Sequence, residues 1–332
     1  LVVRKEISFS EMKGKTIAID AFNAIYQFLS SIRQPDGTPL MDSKERVTSH
    51  LSGLFYRNVA LLAEGIKLIY VFDGEYNVLK GRTHDKRQEA KDKAEIRFKT
   101  ALEEEDVEAM GKYAKALGKL DDEMISESKE LLRALGIAVV QAPSEGEMQA
   151  ADLVKRGEAW AVGSQDYDAL VVGGNRLIQN LTLSRRRKIA NGSFVYIAPE
   201  IIEYEGVINQ LGVTGDQLIC LAILVGTDFN PGGVKGIGPK KALELVRRRK
   251  YPVSIFQEIQ ERFGDVGFNW REVFEIFKKP EVNKVKIEFP KLDEEKVKEI
   301  LVERHEFSLE RVERQMEKLN DFKKEGSQRK LF

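Results

Sequence analysis

The chain has 332 residues, enough for one large or two moderate folded units, and its 53 Lys and Arg balance 53 Asp and Glu, which excludes a protein whose net charge alone would announce a polyanionic or polycationic partner. No stretch approaches the roughly twenty apolar residues that a membrane-spanning helix needs, so no membrane is expected among the partners. The single Cys220 rules out a disulfide within the chain, and its place in the run Leu218-Ile219-Cys220-Leu221-Ala222-Ile223-Leu224 predicts a buried small hydrophobe.

Short apolar runs at 16–20, 66–72, 137–141, 159–163 and 176–181 alternate with helix-like periodic segments, the pattern of an α/β fold whose mostly parallel central sheet is flanked by helices. The first two runs end directly in acids, at Asp20 and Asp73. Further acids follow at or just past later runs: Glu145 and Glu147 in Ser144-Glu145-Gly146-Glu147, then Asp166 and Asp168 in Gln165-Asp166-Tyr167-Asp168. Sites in open parallel sheets lie outside the carboxyl ends of the strands, so one sheet edge can gather these acids. Read as an extended segment, Asp166 and Asp168 share a face and can share a cation. Ser144-Glu145-Gly146-Glu147 also reads as a capping box opening a helix over Met148 to Lys155.

Between Lys80 and Leu120 the charge is dense, with eight Lys or Arg against four acids over 80–99 and no apolar face wide enough for a core helix. We read this stretch as an insertion whose basic side chains sit beside the acids. From Thr214 an apolar helix opens on the capping box Thr214-Gly215-Asp216-Gln217 and stops at Gly226, with Asp228 just beyond. A hairpin, Gly232-Gly233-Val234-Lys235-Gly236-Ile237-Gly238, then leads through Pro239-Lys240-Lys241 into a second helix, a helix-hairpin-helix. Gly236 and Gly238 permit close backbone approach to a phosphate, and Lys240 and Lys241 supply charge, so this element predicts a sequence-independent grip on a nucleic-acid backbone. The last residues, from 321, read as a flexible polar tail.

Seven carboxylates brought together repel one another in a low dielectric and need either raised pKa values or bound cations. With no Cys or His beside them, oxygen-only ligation points to Mg²⁺, with Mn²⁺ as a substitute. Two cations roughly 4 Å apart suit in-line hydrolysis of a phosphodiester. Neither a Ser-His-Asp nor a Cys-His arrangement stands out.

Taken together, Ala18-Ile19-Asp20-Ala21, Ile25-Tyr26-Gln27-Phe28-Leu29, Thr48-Ser49-His50-Leu51, Tyr70-Val71-Phe72-Asp73-Gly74, Ala142-Pro143-Ser144-Glu145-Gly146-Glu147, Gln165-Asp166-Tyr167-Asp168 and Gly236-Ile237-Gly238-Pro239-Lys240-Lys241 closely resemble the flap endonucleases of archaea and eukaryotes, over nearly the whole chain. The resemblance implies a structure-specific 5′ flap endonuclease and 5′-3′ exonuclease of DNA replication (Okazaki-fragment maturation) and base-excision repair. It implies that Asp20, Asp73, Glu145 and Glu147 ligate a first metal and that Asp166, Asp168 and Asp228 are weighted toward a second. Lys80 and Arg87 match positions that polarise the scissile phosphate, and Tyr26 the aromatic that stacks on the terminal base. The insertion is then a helical arch, and the hairpin holds duplex DNA with a monovalent cation such as K⁺ at its carbonyls. Thr48, Phe307 and Arg311 fall where the family builds a pocket for a 3′ flap, with His305 at a position where lysine is common.

The implied division runs 1–79 and 121–213 for the nuclease unit, 80–120 for the arch, 214–256 for the helix-hairpin-helix, 257–320 for the rest of the globular unit and 321–332 for the tail. Gln328 and Leu331 match the start of the sliding-clamp peptide Gln-x-x-Leu-x-x-Phe-Phe, whose aromatic pair this sequence does not reach, so clamp binding is expected of a chain that carries the pair. The chain opens Leu1-Val2-Val3 where the family has Met-Gly. A monomer acting on branched DNA, cytoplasmic in an archaeal cell or nuclear in a eukaryote, is the expectation. The alternatives are a related 5′ exonuclease or junction resolvase, and a non-catalytic DNA-binding accessory of the clamp.

Overall fold

The computed structural model describes residues 2–34, 36–74, 120–183, 186–188 and 194–328. All five expected runs form strands: β2 (Thr16–Asp20), β3 (Lys67–Phe72), β4 (Ala138–Gln141), β5 (Ala161–Gly163) and β6 (Arg176–Gln179). They pair parallel to one another, and β9 (Glu200–Glu203) and β1 (Lys5–Glu6) extend the sheet antiparallel at one edge, in the order β1-β9-β6-β5-β2-β3-β4. A separate ribbon pairs β7 (Arg186–Lys188) with β8 (Phe194–Tyr196).

Alternation along each strand divides the core. Ile17, Ile19, Leu68, Tyr70 and Phe72 pack on one face, while Ala18, Ile69, Val71, Val140 and Val162 pack on the other, and all are buried. Strands buried on both faces read as continuous apolar runs, which is why they were visible in the sequence. The first face is covered by α2 (Ala21–Ser31), α3 (Ser49–Ala63) and α4 (Asp122–Ala134), with α1 (Phe9–Met12) beside them. Gly53 of α3 lets the Phe28 ring approach, since a Cβ there would stand 2.2 Å from it. On the other face lie α5 (Gly146–Lys155), the short α6 (Asp168–Val171), α7 (Tyr204–Leu211) and the helices α8 (Gly215–Val225), α9 (Pro239–Arg249), α10 (Pro252–Phe263) and α11 (Trp270–Lys278).

The chain ends with α12 (Glu294–Lys298), which continues as a π-helical turn over Glu299–Arg304, and with α13 (Leu309–Gln328). The backbone of α13 runs helically to Gln328, past the start of the expected flexible tail at 321, and its apolar side chains Val312, Met316 and Leu319 recur at helical spacing and are buried. Cys220 is fully buried, and burial pushes its thiol up to about 12. Among the described residues no single helix is long and apolar enough to cross a membrane.

From β2 the chain moves to β3 and β4 on one side, then returns to β5 and β6 on the other. The carboxyl ends of β2 and β5 therefore flank a topological switch point, where open α/β sheets place their ligands.

Candidate active site

A cavity of about 990 Å³ opens at this switch point, and all seven acids singled out from the sequence line it. Asp20 ends β2 and caps α2, its Oδ1 accepting the N–H of Asn23 at 3.1 Å. Asp73, one residue past β3, accepts the N–H of Gly146 at 2.7 Å. A Cβ on residue 146 would lie 2.7 Å from that same carboxylate oxygen and 3.0 Å from the Val71 carbonyl, so glycine is what lets α5 start against the end of β3. Asp228 follows α8 in the loop that opens with Gly226.

Two local expectations fail. Asp166 and Asp168 do not lie on an extended segment: β5 stops at Gly163, residues 165–167 bend, and Asp168 opens α6. A tight turn, not strand alternation, brings the pair to the cavity. The Ser144 capping box does not form either. Helix α5 starts at Gly146 with Glu145 as its N-cap and no side-chain cap, and Glu147 is engaged elsewhere, its Oε1 accepting the Ser164 hydroxyl at 2.5 Å.

Burial, and then the carboxylates of Asp20, Asp168 and Asp166, push the Glu147 pKa well above the ordinary range, against the Ser164 hydrogen bond, which lowers it. Such a set holds its charge more easily beside a cation. Among the described residues that line the cavity there is neither His nor Cys, so the donor set fits a hard dication of the Mg²⁺ or Mn²⁺ kind. The carboxylates ring the wall, and among the described residues no three of them close up as a group that could hold an ion.

Tyr26 lines the same cavity and is 42% exposed. Lys80, Arg87 and the expected arch through residue 119 lie outside the described residues, as does Leu331; Gln328 is the last residue of α13. Helices α8 and α9 bracket the glycine-rich turn, and Gln217 ties them by donating to the Val246 carbonyl at 2.6 Å. Gly236 has φ +88°, Gly238 caps α9 ahead of Pro239, and Lys240 and Lys241 are exposed in its first turn, Lys241 Nζ donating to the Gly236 carbonyl at 3.2 Å. Pro239 reaches the acidic cavity, so the turn and the acids border one another.

None of Thr48, Phe307 and Arg311 lines the acidic cavity. Thr48 is buried at the start of α3, Phe307 is half-buried before α13, and Arg311 is exposed on α13. His305, at the position where the family commonly has lysine, is buried. Only 3% exposed, it sets Nδ1 3.1 Å from Asp42 and Nε2 2.9 Å from Glu127.

Several residues at the site were missed by sequence reasoning. Asn23 Nδ2 donates to Asp166 Oδ2 at 3.1 Å, Gln179 donates to the Gln165 carbonyl at 2.6 Å, and Arg4 Nη2 donates to the Tyr167 hydroxyl at 2.6 Å. Ser164 also accepts the Asp166 N–H at 3.2 Å. Of these only Ser164, two residues before Asp166, carried a local signal.

Two family models match: the XPG N-terminal domain over residues 2–94 and the XPG I-region over 136–228. Flap endonuclease 1 of Aeropyrum pernix is 50% identical over 318 residues, covering 95% of this chain and 91% of the relative. That of Pyrococcus abyssi is 49% identical over 332 residues, covering 100% and 95%. Among solved structures, flap endonuclease-1 from Methanococcus jannaschii superposes with a TM-score of 0.74 at 41% identity, covering 97% of this chain and 96% of that one. The catalytic core of Rad2 in complex with DNA substrate shares the fold, with a TM-score of 0.70 at 22% identity over 95% and 96%. The chain belongs to the flap endonuclease 1 family.

Proposed function

We propose that the acidic cavity hydrolyses one phosphodiester near the junction between a single-stranded 5′ flap and duplex DNA, with two Mg²⁺ ions, replaceable by Mn²⁺, held by the seven acids. The observation that carries this reading is the convergence of all seven on one cavity at the carboxyl ends of β2, β3 and β5. When bound, such ions supply Lewis acidity at the phosphoryl oxygen and lower the pKa of water. The chain's own part is positional. Gly146 and Ser164 orient Asp73 and Glu147 by the hydrogen bonds given above, and the bend after β5 turns Asp166 and Asp168 into the cavity.

The turn before α9 borders this cavity, which suits a grip on duplex phosphates beside the point of cleavage, with a monovalent cation at its carbonyls. Lys80 and Arg87 are assigned to steering the scissile phosphate and Tyr26 to stacking on a base. The roles in Okazaki-fragment maturation and base-excision repair, action as a monomer, a cytoplasmic location in an archaeal cell, and a sliding-clamp contact through Gln328 and Leu331 in a chain carrying the aromatic pair belong to the same proposal.

The test is single-turnover cleavage of an end-labelled double-flap DNA in Mg²⁺, with EDTA and a four-way junction as controls. One defined flap product that needs Mg²⁺ is expected, and Asp168→Ala is expected to bind the flap while losing turnover by about 100-fold or more, because binding rests on Lys and Arg contacts to phosphates. Paired nicking of the four-way junction in preference to the flap would replace this reading with a resolvase.

A further inference from the structure

We propose that Asn23 is a positioning residue for the cation-facing carboxylates: by joining the end of β2 to the turn after β5, it fixes Asp20 and Asp166 relative to one another. The inference rests on reading the acidic cavity as a cation site.

Three hydrogen bonds carry it. The Asn23 N–H donates to Asp20 Oδ1 at 3.1 Å, its side-chain Nδ2 donates to Asp166 Oδ2 at 3.1 Å, and its Oδ1 accepts the Gln165 N–H at 3.2 Å. One residue thus touches acids 146 positions apart in the sequence, and its side chain borders the acidic cavity. The amide orientation follows from its partners: exchanging O and N would set an acceptor against a carboxylate and a donor against a backbone N–H.

Asn23 is placed for this by the sheet. β2 and β5 are neighbours, paired at Ile17 with Ala161 and Ile19 with Gly163, so their carboxyl ends emerge side by side. β2 passes straight into α2, and Asn23 is the third residue of that helix, on the turn that Asp20 caps. β5 instead runs into a bend, where side chains must take over from strand pairing. Gln179 from β6 and Ser164 hold that bend from one side, and Asn23 holds it from the other.

The chemistry needs an amide. Asp166 shares the cavity wall with six other carboxylates, and like charges gathered on one wall repel. A neutral donor fixes one Asp166 oxygen without adding a cation that would compete for the site. Groups that orient ligating carboxylates in this way change metal affinity or activity by about 10- to 100-fold when removed.

The experiment uses the whole chain and two variants, Asn23→Ala and the isosteric Asn23→Asp, whose volume guards against a failure to fold. Mn²⁺ binding to the DNA-free protein is counted by electron paramagnetic resonance, and the Mg²⁺ dependence of single-turnover flap cleavage is measured beside flap affinity in Ca²⁺. Asn23→Ala is expected to weaken Mn²⁺ binding about 10-fold and to raise the Mg²⁺ concentration for half-maximal cleavage in parallel, with flap affinity changed less than about twofold. Asn23→Asp is expected to exceed it, because an acceptor then faces Asp166. Mn²⁺ binding and a Mg²⁺ profile like those of the wild type in both variants overturn the proposal. So does a loss of rate matched by an equal loss of flap affinity with the metal response unmoved. Asp166→Ala separates the two levels: if it weakens Mn²⁺ binding while both Asn23 variants do not, the positioning role alone fails, and if it too changes nothing, the cation reading fails with it.

Discussion

Nδ1 of His305 stands 3.1 Å from Oδ2 of Asp42, joining the end of the π-helical turn to the connector between α2 and α3 across 263 residues of sequence. The connector is held to the same segment twice more, by Ser43 donating to Glu306 and by Arg46 donating to the Arg304 carbonyl. Burial pushes the Asp42 carboxyl up, but hydrogen bonds from the Arg46 backbone and guanidinium, from His305 and from the Lys44 backbone outweigh it and hold the pKa at about 2. With His305→Ala, Asp42 and Glu127 each lose a partner inside the protein. The expected loss is about 2 kcal/mol of unfolding free energy, read from denaturant midpoints. Amide exchange over residues 40–48 should quicken in parallel. Unchanged exchange there would mean that the connector is held without this histidine.

His50 gives a pH signature. It is fully buried at the start of α3, and neither ring nitrogen has a hydrogen-bond partner among the described residues. Burial, and next the charge of His305, push its pKa down from 6.5 to about 3, against Asp121. The unfolded chain binds the proton near pH 6.5 and the folded chain near 3, so stability is complete above 6.5 and falls as pH drops through that window. Between pH 6.5 and 5 the fall amounts to about 2 kcal/mol. His50→Leu removes the titration and an unsatisfied polar ring, so its stability relative to wild type should grow from pH 8 to pH 5 in guanidinium titrations. A difference that stays constant with pH would count against a neutral buried His50.

The acids of the site were legible because each follows an apolar run or a glycine boundary, and the strand order of a parallel sheet delivers such positions to one edge. The geometry of the Asp166 and Asp168 pair was not legible. Alternation assumes that a strand continues, and β5 ends three residues before Asp166. Gln179, Arg4 and Asn23 reach the bend from other elements at separations of 14, 163 and 143 residues, and no local pattern encodes such contacts. The partners of His305 were not legible for the same reason: Asp42 and Glu127 lie 263 and 178 residues away in the sequence.

Lys240 and Lys241 occupy the first turn of α9 but differ in their surroundings, since Lys241 Nζ is bonded to the Gly236 carbonyl of its own turn. If the turn grips duplex phosphates, Lys240→Ala should weaken flap binding in Ca²⁺ for every duplex sequence alike and lower the slope of log affinity against log salt by about 1. Lys241→Ala should cost affinity and also loosen the turn, which appears as a lower melting temperature. Equal salt slopes for Lys240→Ala and wild type would place the phosphate grip elsewhere.

Gly146 offers a test of the cavity that leaves every carboxylate in the sequence. Its N–H holds Asp73 at 2.7 Å, and an added Cβ would meet that oxygen at 2.7 Å and the Val71 carbonyl at 3.0 Å. The carbonyl belongs to a central strand and cannot yield, so the start of α5 must move, carrying Glu145 and Glu147 with it and displacing Asp73. Gly146→Ala should therefore cut single-turnover cleavage by about 10- to 100-fold, the range seen when groups that orient metal ligands are disturbed. Flap affinity in Ca²⁺ should hold within about twofold, because the proposed phosphate grip lies on other elements. Wild-type rates in this variant would show that the register of α5 against β3 does not set the placement of the cavity's carboxylates.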